Sequence, residues 1–199
     1  MAADPVREEL LRAQVTVPGD AGAPPPGSGG ADAAVERVRA ALAERGLALE
    51  ILEYPASTRT AHDAARAVGT SVAQIVKSLV FLADGRPILV LASGANRVDV
   101  RKVAGLAAAS RVEKATAKIT REATGFSIGG VPPLGHATPL PVYLDRALLA
   151  HPVVYAAAGT ANSVFAIAPD DLVRATCGTV GDLAEEPPNL PGRRNVLET

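Results

Sequence analysis

Two apolar runs meet at the dipeptide Asp84-Gly85, and they restrict the fold more than any other part of the chain. Residues 74–82 and 87–92 are mostly apolar, and Asp-Gly between two such runs is a strong signal for a β-hairpin. A strand that is apolar on both faces is covered on both sides. We therefore expect a hairpin whose first strand is buried between layers of the fold.

Lys77 lies within the first of these runs, on the strand face that also carries Ile75, Leu79 and Phe81. Lysine is rarely buried without a partner, because removing an ammonium group from water costs several kcal/mol. Its long stem could reach the end of the strand or a structural carboxylate such as Asp145. The alternative is that Lys77 is held to meet a phosphate or a carbonyl oxygen of a ligand. The strand pattern leaves these readings open.

A loop rich in glycine and proline follows at residues 124–136. Glycine reaches backbone angles that other residues avoid and lets a ligand approach closely, whereas proline fixes φ and removes an N–H donor. The remaining N–H groups then point in set directions. Such a loop is suited to bind an ester carbonyl or a ribose. The alternative interpretation is that it only forms a wide turn between two sheet elements and binds no ligand.

The composition limits which ligands the chain can bind. Its 199 residues, 48% of them hydrophobic, allow one globular domain with a real core. Only 3% are aromatic, so the stacking platforms of single-strand nucleic-acid binders are not available. The formal net charge of −1 argues against general nucleic-acid affinity. Residues 97–121 nevertheless carry seven Lys or Arg against two acidic residues, enough to meet a few phosphates.

The cysteine and histidine residues predict no metal or other cofactor. Cys177 is the only cysteine, which excludes an internal disulfide and fits a reducing cytosol; we expect it to pack inside the fold. His62, His136 and His151 lack metal-ligand spacing. The N-terminus has no signal-peptide pattern, and no apolar run approaches the ~20 residues of a membrane span. A soluble, cytoplasmic protein is expected.

Composition shifts predict one domain between two flexible ends. Residues 18–30 consist mainly of proline, glycine and alanine, which is typical of a linker. The expected division is a flexible extension at residues 1–30, a globular domain at 31–180 and a flexible tail at 181–199.

Helix and strand signals inside this domain follow each other without a regular β-α-β order. Thr60 and Asp63 have capping-box spacing at the start of one helix, and Gly69 ends it. This order predicts an α+β fold with a strongly curved or barrel-like mixed β-sheet and helices packed around it. Helices are expected at 32–45, 60–68, 99–109, 116–123 and 170–176, and strands at 47–53, 74–82, 87–92, near 112, 140–144, 152–157 and 164–168.

Two catalytic possibilities are suggested by individual residues, but the residues around them do not support either one. Residues 125–129 fit the G-x-S-x-G pattern of esterases, but the residues after them cannot begin the required helix and those before read as helical. A serine hydrolase is therefore disfavoured. A Schiff-base lysine at Lys77 would need pyridoxal phosphate, and no obvious phosphate-binding cup is present.

Several ordered motifs, taken together, resemble one known family. They are similar to the YbaK family, which is related to the editing domain inserted in bacterial prolyl-tRNA synthetases, over about residues 32–178. The resemblance implies a free-standing aminoacyl-tRNA deacylase that removes a small non-cognate amino acid from tRNA for proline. The matching motifs are Thr60-Ala61, the run from Gln74 to Phe81, the loop from Ser93 to Asp99, Thr124-Gly125-Phe126, the loop from Gly129 to Gly135, and the strand from Val142 to Asp145.

The resemblance also implies roles for individual residues. Lys77 takes the place of the family's catalytic lysine near the ester and the terminal adenosine, and Asp145 would orient that lysine or the substrate amine. His136 is either a substrate contact or a residue of the rim. Water or a group of the substrate itself is the nucleophile, so no protein nucleophile is required. The substrate-binding residues implied are Gly129, Gly130, Pro133, Gly135, Asp145, Gly94, Thr60 and His136.

Other functions fit the same residues. A non-catalytic module that binds aminoacyl-tRNA or a synthetase is the main alternative, and a small-molecule hydrolase unrelated to RNA is another. The partners expected are mischarged tRNA, through its 3′ aminoacyl end, and an aminoacyl-tRNA synthetase as a candidate, with no membrane association. The oligomeric state is not predicted.

Overall fold

A computed structural model describes residues 29–55 and 58–186 of the chain. These residues form five α-helices and eight β-strands, with short 3₁₀ turns at Val72–Gln74 and Arg146–Ala150. The helices are α1 (Gly29–Ala43), α2 (Ala61–Val68), α3 (Val100–Leu106), α4 (Ala117–Thr124) and α5 (Pro169–Thr176). The strands are β1 (Ile51–Glu53), β2 (Val76–Ala83), β3 (Arg86–Ser93), β4 (Val112–Lys114), β5 (Val142–Asp145), β6 (Val154–Ala157), β7 (Ser163–Ile167) and β8 (Thr179–Gly181).

The predicted hairpin is formed by β2 and β3. They pair antiparallel over their whole length, from Val76 opposite Ser93 to Ala83 opposite Arg86. Asp84 and Gly85 both have positive φ, 47° and 80°, as the tight turn between two twisted strands requires. The hairpin prediction is confirmed.

The strands assemble into two sheets. One has five strands in the order β4-β2-β3-β5-β8 and is mixed, because β5 runs parallel to both β3 and β8. The other has three antiparallel strands in the order β1-β7-β6. The predicted mixed α+β fold is confirmed. No closed barrel forms among residues 29–55 and 58–186, so the barrel-like curvature stays a prediction.

Both faces of the five-stranded sheet are covered, as its apolar strands predict. Val38 of α1 and Leu172 of α5 pack over one face, in the main core with Leu89 and Leu91. On the other face Val103 of α3 packs in a separate cluster with side chains of β2 and β3. The hairpin is therefore buried between two layers.

Side-chain caps decide where three of the helices begin. Thr60 Oγ1 accepts a hydrogen bond from Asp63 N, Asp99 caps α3 through Arg101 N, and Thr116 caps α4. Gly69 ends α2 with φ at 77°, as the sequence predicts. None of the helices in the described part of the chain is long and apolar enough to cross a bilayer.

The boundaries of the fold differ in detail from those expected. Helix α1 begins at Gly29, inside the stretch predicted as linker. At the other end β8 was not predicted, and Leu183 beyond it is only 1% exposed, so the packed fold continues past residue 180. Cys177, expected to pack inside, is exposed at the end of α5. The rest of the predicted extension (1–28) and tail (187–199) lies outside the described residues.

Candidate active site

The outer edge of β2 is open near its beginning. β3 pairs with all of β2, but β4 pairs only with Phe81–Ala83. Hydrogen-bonding directions alternate along an antiparallel strand, and Ala115 N donates to Val80 O on the β4 side at 3.1 Å. The main-chain groups of Ser78 point to this same edge, where none of the described strands pairs with them.

A cavity of about 250 Å³ lies between this edge and β6. A parallel bridge between Ile75 and Tyr155 joins the two strands at one end. Residues of both strands line the cavity, together with the start of α2, the segment before it, and the loop around Gly129. Five segments that are separate in the sequence thus line it: residues 58–64, 75–79, 128–131, 155–157 and Val164.

Lys77 lines this cavity and is half-buried. Its Nζ donates a hydrogen bond to the main-chain oxygen of Asn96, in the loop after β3. Burial lowers the pKa of the Lys77 ammonium below its ordinary value, Asp145 opposes this shift, and Arg97 adds to it. An ammonium carries three N–H donors, so after the bond to Asn96 two remain for a ligand.

Asp145 reaches Lys77 through Asn96 and not by direct contact. Its side chain is almost completely buried, with 1% of the residue exposed. One carboxylate oxygen accepts from Asn96 Nδ2 at 2.8 Å, and the other accepts from Ala147 N at 3.1 Å. Asp145 thereby holds the residue whose carbonyl oxygen holds Lys77.

The cavity has a positive electrostatic character. Arg59 and Lys77 both line it, and no Asp or Glu is among its lining residues in the described part of the chain. The amino-terminal end of α2 also meets it at Ala61, and such an end carries partial positive charge. Its other walls are mostly apolar, with Ile75, Val131 and Val164 among them.

Ser78 contributes a buried hydroxyl without a partner. Its Oγ is the buried side-chain oxygen or nitrogen that makes no hydrogen bond within residues 29–55 and 58–186. The residue borders the cavity beside Lys77. Buried hydroxyl groups are normally satisfied, so Ser78 is an exception among the described residues.

The glycine loop at residues 124–136 contributes Gly129 to the cavity, but the other substrate-binding residues predicted in this loop do not line it. Gly129 lines the cavity with φ at 94°. Gly130 packs against Thr160, where a β-carbon would lie 2.7 Å from the main chain. The N–H of Gly130 donates to Ser127 O at 3.0 Å and is therefore not a free donor for a ligand.

The end of the loop faces α1 and lies away from the cavity. A β-carbon at Gly135 would lie 3.3 Å from Ala41 Cβ. His136 packs edge-on against Phe126, and its Nε2 lies 2.8 Å from the main-chain oxygen of Pro132. Burial lowers the pKa of His136, against the effect of that hydrogen bond. Pro133 is buried and, like Gly135 and His136, does not line the cavity.

Thr60 and Gly94 support the cavity in different ways. Thr60 lines it, but its hydroxyl caps α2 and also donates to Asp63 Oδ2 at 2.5 Å. Gly94 lies underneath, since a β-carbon there would be 2.2 Å from Val72 O and 3.0 Å from Ala61 Cβ. Of the residues proposed from the sequence, the structure brings Lys77, Gly129 and Thr60 to one cavity.

Sequence reasoning missed several residues of this site. Arg59 and Asn96 lie inside or beside motifs that carried the resemblance, so their position was a usable signal. Tyr155 gave no local signal, because β6 reaches the cavity only through the bridge to Ile75. Ile128 is 53% exposed at the cavity, an unusual position for a large apolar side chain.

The G-x-S-x-G match does not form a nucleophile elbow. Helix α4 precedes Ser127, where the elbow needs a strand, and no helix follows directly. Arg121 Nη1 donates to Ser127 Oγ at 2.8 Å, on the protein surface. The predicted context of the motif, helical before it and without a helix directly after it, is confirmed.

Comparisons with known proteins agree on one family. Residues 55–175 match the model of the aminoacyl-tRNA editing domain. The chain is 49% identical in sequence to a solved "putative trans-editing enzyme for prolyl tRNA synthetase", with a TM-score of 0.73, and covers 98% of that protein with 77% of its own length.

Two curated relatives extend this comparison. The uncharacterized protein YwhH of Bacillus subtilis is 33% identical over 124 residues, which are 62% of this chain and 78% of YwhH. A proline–tRNA ligase of Bacillus licheniformis is 36% identical over 103 residues, 52% of this chain but only 18% of the ligase. The similarity to the ligase therefore concerns one segment of that enzyme.

Proposed function

The chain belongs to the aminoacyl-tRNA editing domain family, and from this premise we propose that it hydrolyses the ester linking a mischarged amino acid to tRNA. The substrate proposed is a small non-cognate amino acid on tRNA for proline, acted on in trans. The observation that carries the proposal is Lys77, an ammonium group held in a cavity that no carboxylate of the described residues lines.

Lys77 is the proposed catalytic residue. When water attacks the ester carbonyl, negative charge develops on the carbonyl oxygen, and the two free N–H groups of the ammonium can bind that oxygen. A preorganised donor of this kind is worth roughly 10²–10³ in kcat. The ribose hydroxyl next to the ester can relay protons, so no protein nucleophile is needed.

Asp145 is proposed to position Lys77. Its carboxylate fixes the side chain of Asn96, whose main-chain oxygen accepts from Nζ. The negative charge of Asp145 also opposes the fall in the Lys77 pKa, which favours the protonated form of the lysine. Gly129 lines the cavity and leaves room there for the stem of Arg59, whereas Gly135 packs against α1 and is proposed to hold the far end of the loop there.

The size and walls of the cavity fit a small acyl group. About 250 Å³ bounded by Ile75, Val131 and Val164 accommodates a short apolar side chain. A synthetase discriminates against a substrate that lacks one methylene by only about 1–3 kcal/mol. A second site for small acyl groups therefore has a clear use in translation fidelity.

A deacylation panel tests this function. Purified tRNA for proline is charged with proline, alanine, serine or cysteine, and release of each amino acid is followed with wild-type protein and with Lys77→Ala. We expect release of at least one small non-cognate residue, retention of proline, and loss of release in the variant.

Different outcomes would support the rival functions. Tight binding of charged tRNA without release would indicate a non-catalytic module. Equal turnover of simple aminoacyl esters and of aminoacyl-tRNA would indicate a small-molecule hydrolase. Dependence of release on added prolyl-tRNA synthetase would support the synthetase as a partner.

A further inference from the structure

The cavity is lined by more positive charge than the acyl part of the proposed substrate would need. An aminoacyl ester carries a cationic or neutral amino group, yet the cavity presents Arg59 and Lys77 and no carboxylate from the described residues. Lys77 has a role at the ester carbonyl. Arg59 has no such role, and a second cation there favours an anionic group of the ligand.

The structure holds Arg59 at a defined place across the glycine loop. A β-carbon at Gly129 would lie only 2.6 Å from Arg59 Cγ and 3.4 Å from its Cδ. The missing side chain of Gly129 thus makes room for the stem of Arg59. The arginine directly precedes Thr60, the N-cap of α2, and it is exposed.

The chemistry of the substrate determines which anion this is. The ester, placed at Lys77, joins the amino acid to the terminal ribose of tRNA. The nearest negative charge on that ligand is the phosphate on the 5′ side of the same ribose. A planar guanidinium binds two phosphate oxygens in a fixed bidentate geometry, whereas a lysine ammonium acts as a point charge without that geometry.

We propose that Arg59 is a positioning residue that binds the phosphate on the 5′ side of the terminal nucleoside while Lys77 meets the ester. This inference rests on the proposed function, because it needs an aminoacyl ester on the terminal ribose. The apolar walls of the cavity then hold the acyl group, Lys77 meets the ester, and the exposed Arg59 meets the adjoining phosphate at the rim.

Two small substrates that differ by that phosphate alone provide the test. One is the amino acid released from tRNA, esterified to the 2′(3′) hydroxyl of adenosine; the other is the same ester of adenosine 5′-monophosphate. We expect wild type to favour the phosphorylated ester by about tenfold in kcat/KM, mainly through KM. In Arg59→Gln this ratio falls to near one, and Arg59→Lys retains part of it.

Arg66→Gln is the matched control. Arg66 lies on α2 in the same part of the fold, is 81% exposed, pairs with Asp63 and does not line the cavity. We expect its ratio between the two esters to equal that of wild type. With full aminoacyl-tRNA, Arg59→Gln should also lower the dependence of KM on salt by about one phosphate contact, whereas Arg66→Gln should not.

The outcomes separate this inference from the proposed function. If wild type releases no amino acid from tRNA, the function itself is wrong. If it does so but Arg59→Gln keeps the wild-type preference for the phosphorylated ester, or Arg66→Gln loses it equally, the role of Arg59 is overturned while the deacylase remains.

Discussion

The cavity and the start of α3 both contain basic side chains, but Lys77 in the cavity and those at the start of α3 differ in how they are paired. In the cavity, Lys77 is half-buried and hydrogen-bonded to a main-chain oxygen, with its nearest carboxylate acting through Asn96. At the start of α3, Arg101 contacts Asp99 at 2.9 Å, and Lys102 contacts Asp182 at 2.8 Å. Within residues 29–55 and 58–186, Lys77 makes no ion pair, whereas Arg101 and Lys102 each have a carboxylate partner.

The pKa shifts in the two regions have different effects on the charged forms of their residues. Burial lowers the pKa of Lys77, so the fold disfavours its charged form. The hydrogen bond from Arg101 lowers the pKa of Asp99 to about 2, and pairing with Asp182 raises the pKa of Lys102, so there the fold favours the charged forms. Charges that stabilise a fold are satisfied within it, whereas a charge kept for a ligand is not.

The largest effect should come from replacing the cation of each region by methionine. Lys77→Met should lower deacylation at least about 10²-fold and raise the melting temperature, because it removes an ammonium that the fold disfavours. Lys102→Met should leave deacylation unchanged and lower the melting temperature slightly. Deacylation assays and thermal melts of both variants measure this.

The stability gain in Lys77→Met has a defined pH dependence. The unfolded chain binds the lysine proton more tightly than the folded one, so wild-type stability rises with pH between the lowered pKa and the ordinary 10.5. The advantage of methionine should therefore shrink across that window. A constant or growing advantage would mean that Lys77 is not disfavoured by burial.

Asp145→Asn should have the next largest effect, of about tenfold in kcat. Without the carboxylate the pKa of Lys77 falls further, so the alkaline decline of deacylation should move to lower pH. The matched change Asp182→Asn alters a carboxylate in the other region and should leave the pH profile in place. If the alkaline decline of deacylation by Asp145→Asn occurred at the same pH as in wild type, the proposed role of Asp145 in positioning Lys77 would be contradicted.

Asp99→Asn probes the paired region and should affect stability alone. A carboxyl with a folded pKa of about 2 and an ordinary value of 3.8 contributes stability above about pH 4 and loses it as the pH falls through 2. The variant should melt below wild type at neutral pH and converge with it in acid. Loss of deacylation at neutral pH would show that the two regions are coupled.

Ser78→Ala should have the smallest effect. Because its hydroxyl has no partner in the described residues, removing it should change the free energy of unfolding by less than about 1 kcal/mol, with either sign. Chemical denaturation measures this difference. Destabilisation well above that value would show that the hydroxyl is bonded, for instance through ordered water.

Local patterns were sufficient to predict most elements of the fold, but not β8. The Asp84-Gly85 turn, the Thr60 cap and the Gly69 stop each depend on residues close in sequence, and all three are present. Strand β8 was missed because it has only three residues and one buried position, too few to show a period. Its place in the sheet depends on β5, a distant segment.

The sequence predicted Lys77 as the main residue of the site, but it did not predict correctly which loop residues surround it. Lys77 stood out because an ammonium in an apolar run is an exception that the sequence alone displays. His136, Gly135 and Pro133 share a loop with Gly129 but do not line the cavity; Gly135 packs against α1 and His136 against Phe126. Nearness in sequence was a poor guide there, since a loop side chain takes its direction from the backbone angles.

The amino-acid sequence by itself determined the hairpin, the two ends of α2 and the half-buried cation, because these follow from short-range conformational preferences and from the cost of burying charge. The order of its motifs also determined the family. Only the tertiary structure decided that Tyr155 of β6 bridges Ile75, that Arg59 lies across Gly129, and that Asn96 links Asp145 to Lys77. Those contacts join segments far apart in the chain, and they are selected by the packing of the whole domain rather than by any local pattern.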